Sequence, residues 1–217
     1  MRNRGFIMIV LTFLISCNKT EKFQGLIRYK LEYKVNSNDI TIGQLRNMGG
    51  DSCDLIYDNE NIEWKMLNSK QWKGNIYLRS INKLYYFTHN SDSILYVDCF
   101  EADEKIESFQ ILKNQDIILN YPCDLLIIHT IPTDKTLIGV KRTKYYYYTK
   151  ELPIDTSSYL NYNYNSQNFV AKMTGGVTLK LIDSFDKFSM IYEAIMIKKG
   201  KKAINTEITG RLLTKMK

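Results

Sequence analysis

Between Gly25 and Val35 the chain alternates without a break. Gly25, Ile27, Tyr29, Leu31, Tyr33 and Val35 fall on one face, and Arg28, Lys30, Glu32 and Lys34 on the other. Successive side chains of a strand point to opposite sides, so this period of two specifies a half-buried β-strand. It excludes an amphipathic helix, whose apolar stripe recurs every three to four residues. Short runs rich in Ile, Tyr, Leu and Phe follow at 55–57, 62–67, 76–78, 84–88, 94–99, 106–112 and 125–131, divided by Asn, Asp, Ser or Gly. Further runs at 143–149, 177–182, 187–197 and 203–213 continue the pattern. Strands at this spacing with turn residues between them predict a mainly β, antiparallel architecture.

One stretch breaks the pattern. Residues 154–173 carry Asp155 or Thr156 as a helix N-cap and several Asn and Ser, which predicts one or two short helices across one face of the sheet. Gly175-Gly176 and Lys199-Gly200-Lys201 mark turns, the second as a solvated hairpin tip. With no repeat, Pro-rich linker or second composition regime, residues 23–217 are expected to form a single β-rich domain.

The N-terminus carries a different kind of information. Arg2 and Arg4 precede an apolar run from Phe6 to Ile15 that only Thr12 interrupts, followed by Leu14-Ile15-Ser16-Cys17. Ten helical residues span about 15 Å, half the ~30 Å hydrocarbon core, so this is a secretory signal rather than a membrane span. The tetrad resembles the lipobox of bacterial lipoproteins: an aliphatic residue opens it and a small one precedes the cysteine. Residues 1–16 are thus expected to be a signal peptide, Cys17 the acylated first residue, and 17–22 a short tether. A membrane reached through the N-terminal lipid is the expected partner. Asn18-Lys19-Thr20-Glu21 lacks an acidic run resembling surface-export signals, so a periplasm-facing place at the outer membrane is expected.

Removing Arg2 and Arg4 leaves 28 basic against 23 acidic side chains, a net charge of +5 spread along the chain. Export removes nucleic acid from the expected partners. Of the three remaining cysteines, Cys53, Cys99 and Cys123, one must stay unpaired within a monomer. Cys99 with Cys123 is the favoured disulfide; closing a loop of about 25 residues, it would contribute roughly 3 kcal/mol.

Phe23-x-Gly25-x-Ile27-x-Tyr29, Asn120-Tyr121-Pro122-Cys123 and Tyr148-Thr149-Lys150-Glu151-Leu152-Pro153 together resemble a family of uncharacterised Bacteroidetes lipoproteins, a branch related to the Gly-Leu-Pro-Gly-Leu-Ile group. The resemblance spans about residues 23–185. It implies an open, strongly curved antiparallel sheet, an unclosed barrel similar to the lipoprotein carriers LolA and LolB, which hold acyl chains between sheet and helices. The function it implies is the binding of a hydrophobic or amphiphilic ligand, a lipid or another lipoprotein's acyl chain. The alternative is a structural or assembly lipoprotein acting through protein contacts.

No Cys/His metal spacing, Gly-rich phosphate loop or nucleophile motif is present, so no metal, cofactor or catalytic residue is expected. His89 reads as a turn residue and His129 as the end of a strand. Tyr145, Tyr146, Tyr147 and Tyr148 are the candidate cavity lining: in a strand two rings face each side, and tyrosine's apolar body with a polar tip suits a cavity mouth. Trp64 and Trp72 flank the turn Asn68-Ser69-Lys70 and read as a structural cross-strand pair.

Overall fold

The computed structural model describes residues 21–58, 61–134, 140–204, 208 and 213–216. In chain order the elements are β1 (Gly25–Val35), α1 (Ile42–Gly49), β2 (Ser52–Tyr57), β3 (Asn61–Leu67), β4 (Trp72–Leu78), β5 (Lys83–Thr88), β6 (Ile94–Asp98), β7 (Glu104–Ile118), β8 (Tyr121–Pro132), β9 (Arg142–Pro153), α2 (Gln167–Thr174), β10 (Gly176–Phe185), β11 (Phe188–Lys199) and β12 (Leu213–Lys215). Two single 3-10 turns, Thr156–Tyr159 and Tyr164–Ser166, precede α2.

All twelve strands belong to one sheet in the order β12-β6-β5-β4-β3-β2-β1-β11-β10-β9-β8-β7. Except for β6 with β7 and β11 with β12, sequence neighbours pair antiparallel, and β1 also pairs with β11, Gly25 opposite Lys199. Only β12 is parallel, to β6. The fold is mainly β, as the run spacing predicts, and its sheet is open, as the resemblance implies; of the two short helices among the described residues, only α2 falls in the segment expected to be helical. The sheet is also wrapped: side chains from β2, β3, β4, β5, β9, β10 and β11 surround one interior cavity. The sheet stays open between its edge strands β12 and β7, and residues 99–103, which lead from β6 to β7, cross this seam.

The alternation of β1 carries over to its neighbours. Leu31 pairs with Tyr192, which pairs with Leu181, then Tyr146 and Leu126; these residues face inward. Lys30, Glu193, Lys180 and Tyr147, one register position away, face outward. Ile27, Tyr29, Leu31 and Tyr33 are all buried in the main core, whereas Lys30, Glu32 and Lys34 are exposed.

Three readings of the sequence need correction. Sequence alternation hides α1, which lies between β1 and β2: Thr41 and Gln44 form a reciprocal capping box, and Gly50 ends the helix at φ 81°. A Cβ at Gly50 would sit 2.0 Å from the Leu67 carbonyl oxygen, so only glycine fits there. Second, the run 203–213 is not a strand in its described part. Lys199 ends β11, Ile204 packs on an outer apolar patch with Ile56 and Ile76, and only Leu213–Lys215 pairs as β12. Lys198–Lys202 is therefore the end of β11 and the start of a tail, not a hairpin tip.

Third, Cys53, Cys99 and Cys123 are three free, buried thiols, and the expected Cys99–Cys123 bridge is not formed. The topology explains this. The segment that begins at Cys99 is bonded at Asp103 to Thr133, beyond the far end of β8, while Cys123 stands at its beginning. Ten residues, roughly 30 Å of strand, separate Thr133 from Cys123, and the four residues from Asp103 back to Cys99 can recover at most about 14 Å of it, which still leaves more than the ~7 Å limit between bridged Cα atoms.

A lidded cavity and a buried ion cluster

Residues 154–175 form the connection between β9 and β10 and fold over the inner face of the sheet. Gly175, at φ 61°, ends α2 in the left-handed conformation and turns the chain into β10. Val170 of α2 packs with Leu126, Ile128, Tyr146 and Tyr148, and Phe169 meets Phe109 edge-on at 5.1 Å. At the other end of the segment Tyr162 stacks on Tyr77 with ring centroids 4.0 Å apart. The segment also bridges the seam. Asn163 donates from its backbone N to Cys99 O at 2.8 Å and from Nδ2 to Phe100 O at 2.8 Å, and Asn165 N donates to Asp103 Oδ1. It is a lid that also braces the open side of the sheet.

Under the lid lies a cavity of about 200 Å³. Its wall is aromatic on most sides, with Tyr57, Trp64, Tyr77, Tyr86, Tyr146 and Tyr192 from the sheet and Tyr159 and Tyr162 from the lid. Burial pushes the hydroxyls of Tyr77 up to about 12 and those of Tyr57, Tyr86, Tyr146 and Tyr192 further, so these rings present neutral O–H groups.

One end of the cavity is charged. Arg142 and Lys144 alternate with Tyr146 on the inward side of β9, and Asp183 lies opposite Lys144 on β10. Arg142 grips Asp183 in a two-point pair, Nε to Oδ1 at 2.6 Å and Nη2 to Oδ2 at 2.5 Å. Lys144 Nζ donates to Glu104 Oε1 at 2.5 Å, and Glu104 also accepts from Thr130 Oγ1 at 3.0 Å and from Ser166 Oγ of the lid at 2.7 Å. Arg142 reaches the lid too, through Nη1 to Asn165 Oδ1 at 2.9 Å. Lys144 and Glu104 expose only 2% and 3% of their side chains, so the lid is fastened to the wall by charges almost out of water.

Two cations and two anions leave this cluster neutral. Burial opposes ionisation of Glu104, but Lys144, Arg142 and Ser166 outweigh it and hold the carboxyl below its ordinary value. Burial and the neighbouring Arg142 charge lower Lys144 despite Glu104, so of the two cations Lys144 gives up its proton first as pH rises. Burial also works against Arg142, yet Asp183 and Glu104 raise its pKa. Asp103, at the seam, is raised by burial, with Glu104's charge adding to it and Asn165 N opposing it.

A second concavity of about 460 Å³ opens at the seam, lined by Asp103, Glu104, Thr130, Tyr164, Phe185 and Met216 among others. Arg142 lines both spaces and exposes 20% of its side chain, more than any other member of the cluster. Its guanidinium lies 4.8 Å from the Phe185 ring centroid.

Of the four candidate lining tyrosines, Tyr146 alone borders the interior cavity. Tyr148 faces the same side but is buried beneath the lid. Tyr145 and Tyr147 face outward, where Lys180 Nζ stands 5.6 Å from the Tyr147 ring centroid. Trp64 and Trp72 are not a pair. Trp64 lies opposite Asn75, stacks on Tyr29 at 5.7 Å and lines the cavity, while Trp72 meets Tyr86. His129 is exposed and shares a 3.0 Å contact with Thr143 Oγ1. Cys17 lies outside the described residues.

The ion cluster went unread in the sequence, although a signal for it exists: Lys144 has the parity of Tyr146 and Tyr148, a charge at a core position of a strand. Among the described residues no three His, Cys, Asp or Glu side chains gather to hold a metal. Searches with family models and against curated proteins give no match.

Proposed function

We propose that the protein is a bacterial envelope lipoprotein, acylated at Cys17, that binds an amphiphilic molecule between its wrapped sheet and the lid, without catalysis. The observation that carries the reading is Arg142, which lines both the tyrosine-walled interior and the groove at the seam. A ligand spanning the two would meet aromatic surface at one end and paired charges at the other. The interior, at about 200 Å³, is smaller than the roughly 300–1,000 Å³ of sites for drug-sized ligands. With the lid closed it suits a ring or a short chain; a long acyl chain requires the lid to lift.

The anchor reading rests on Leu14-Ile15-Ser16-Cys17 after a short apolar run. Each buried acyl CH₂ contributes about 0.8 kcal/mol, so two or three chains hold firmly without a spanning helix. A periplasm-facing position at the outer membrane is the favoured place, and protease treatment of intact cells distinguishes it from surface display. Replacing Cys17 by Ala is expected to abolish labelling by radioactive palmitate and to release the protein from membranes; retention and labelling would overturn the anchor.

Ligand binding is tested separately, by native mass spectrometry and solvent extraction of the chain beginning at Asn18. Recovery of a bound amphiphile that is lost in Arg142→Ala is the expected result. If no amphiphile is recovered or rebound, the ligand reading falls and an assembly role through protein contacts replaces it.

A further inference from the structure

The first described residues lie at one end of the sheet. Ile118 and Tyr121 close the β7–β8 hairpin there, Gly25 pairs with Lys199, and Phe23 N donates to Pro153 O at 2.7 Å. The strand ends are drawn together: Lys199 Nζ stands 6.0 Å from the Tyr121 ring centroid, and Gly200 N donates to Gln24 O at 3.0 Å.

Two features of this end combine. The hairpin tip is apolar and exposed, with Ile117 73% and Leu119 39% accessible. The tip is a tight two-residue turn, in which Leu119 and Asn120 both have positive φ (50° and 67°). At this end stand six exposed lysines, Lys22, Lys150, Lys198, Lys199, Lys201 and Lys202, against the exposed Glu21 and Glu151 and the partly buried Asp58, Asp116 and Asp155, of which Asp116 is paired with Lys180 and Asp155 with Arg79. Water solvates lysines well but gains nothing from two aliphatic side chains held out on the turn beside them. A lipid surface accounts for both, because aliphatic groups enter the acyl boundary while ammonium groups remain among the phosphates.

We propose that this end is a docking surface for an anionic lipid bilayer, with Ile117 and Leu119 inserting and the lysine crown pairing with headgroup phosphates. Each lysine near such a surface adds attraction that strengthens binding several-fold. The surface stands independently of the acyl anchor. If Cys17 is acylated, it lies four residues before Glu21, at most about 14 Å away, and the anchor then presents this same end to the membrane.

The test uses the chain from Asn18, which lacks any acyl group and keeps every described residue. It is sedimented with phosphatidylcholine vesicles and with vesicles holding about 30% phosphatidylglycerol, the anionic component that attracts lysines. Selective binding to the anionic vesicles is expected, lost on raising salt to about 0.5 M, where screening reaches a few Å. Replacing Lys198, Lys199, Lys201 and Lys202 by Gln should weaken that binding by about tenfold or more. Ile117→Asn with Leu119→Asn, Asn being tolerant of positive φ, should also weaken it. An environment-sensitive dye on Ile117→Cys, the three described thiols being buried, should shift to the blue on binding. The proposal is overturned if anionic vesicles bind no better than neutral ones, if the lysine variant binds equally well, or if the bound dye stays in water.

Discussion

Removal of the Lys144 side chain should be strongly felt. It has 2% of its side chain in water and faces Glu104, which is as deeply buried. Removing one partner of such a pair leaves an uncompensated charge, so Lys144→Met is expected to cost about 3–5 kcal/mol in urea unfolding. Adding Glu104→Gln removes the stranded charge and should restore most of that loss; a double variant no more stable than the single one would show that packing, not charge, is at stake. The cysteines make the opposite prediction, of silence. Burial raises Cys99 to about 12 and Cys123 to about 11, and Cys53 further. In the chain from Asn18, all three should ignore a thiol reagent at pH 8 and react together in denaturant without reductant. Labelling of fewer than three after unfolding would reveal a disulfide. The choice between paired and free cysteines was not legible in the sequence, because spacing gives the loop length and says nothing of which end of β8 meets the seam.

Among elements, the lid is held by contacts of unlike kinds. Its first half is pinned by the Tyr77–Tyr162 stack, its middle by Ser166 and Asn165 on the ion cluster, and its helix by Val170 on the inner face of β8 and β9. Tyr162→Ala removes a buried ring and is expected to cost about 3–5 kcal/mol. Because the strands keep their own ladders, the loss should appear first as faster hydrogen exchange confined to residues 154–175 and the seam at 99–103. Acceleration spread evenly over the sheet would show that the lid is not a separate unit. The Asn- and Ser-rich stretch 154–173 foretold an irregular segment with short helices, since such residues cap and turn. Helix α1 escaped notice because it is eight residues long and buries only Leu45, too little for a periodic signal.

For the whole molecule the tyrosines set the limit in alkali. A tyrosine ionises near 10 when unfolded; burial moves Tyr33 and Tyr77 up to about 12 and several cavity tyrosines beyond. The native state therefore keeps protons that the unfolded chain releases. Stability from this source is complete below pH 10 and falls as pH rises from 10 through 12 and above. Melting temperature should drop steeply over that window, and tyrosinate absorbance from the buried set of the 16 tyrosines should appear only with unfolding. Full titration near pH 10 with the fold intact would contradict the buried rings. Acid acts through Glu104: its lowered carboxyl contributes stability above the ordinary carboxylate range, lost as pH falls through its folded value.

The alternation of Gly25–Val35 and the spacing of later runs determined strands, their inward and outward faces, and an antiparallel sheet, because those properties are local to a strand and its turns. The same alternation assigned Tyr146 and Tyr148 to one side and Tyr145 and Tyr147 to the other, as the register shows. Which side encloses a cavity is decided by the wrap of twelve strands and by the lid that braces the seam. The ion cluster joins Glu104, Arg142, Lys144 and Asp183 from three strands spread over 80 positions of the chain, and the lysine crown joins Lys22, Lys150 and Lys199, spread over 178. Charges so distant in sequence have no pattern to read until the backbone brings them together, so tertiary structure alone decided the chemistry of both surfaces.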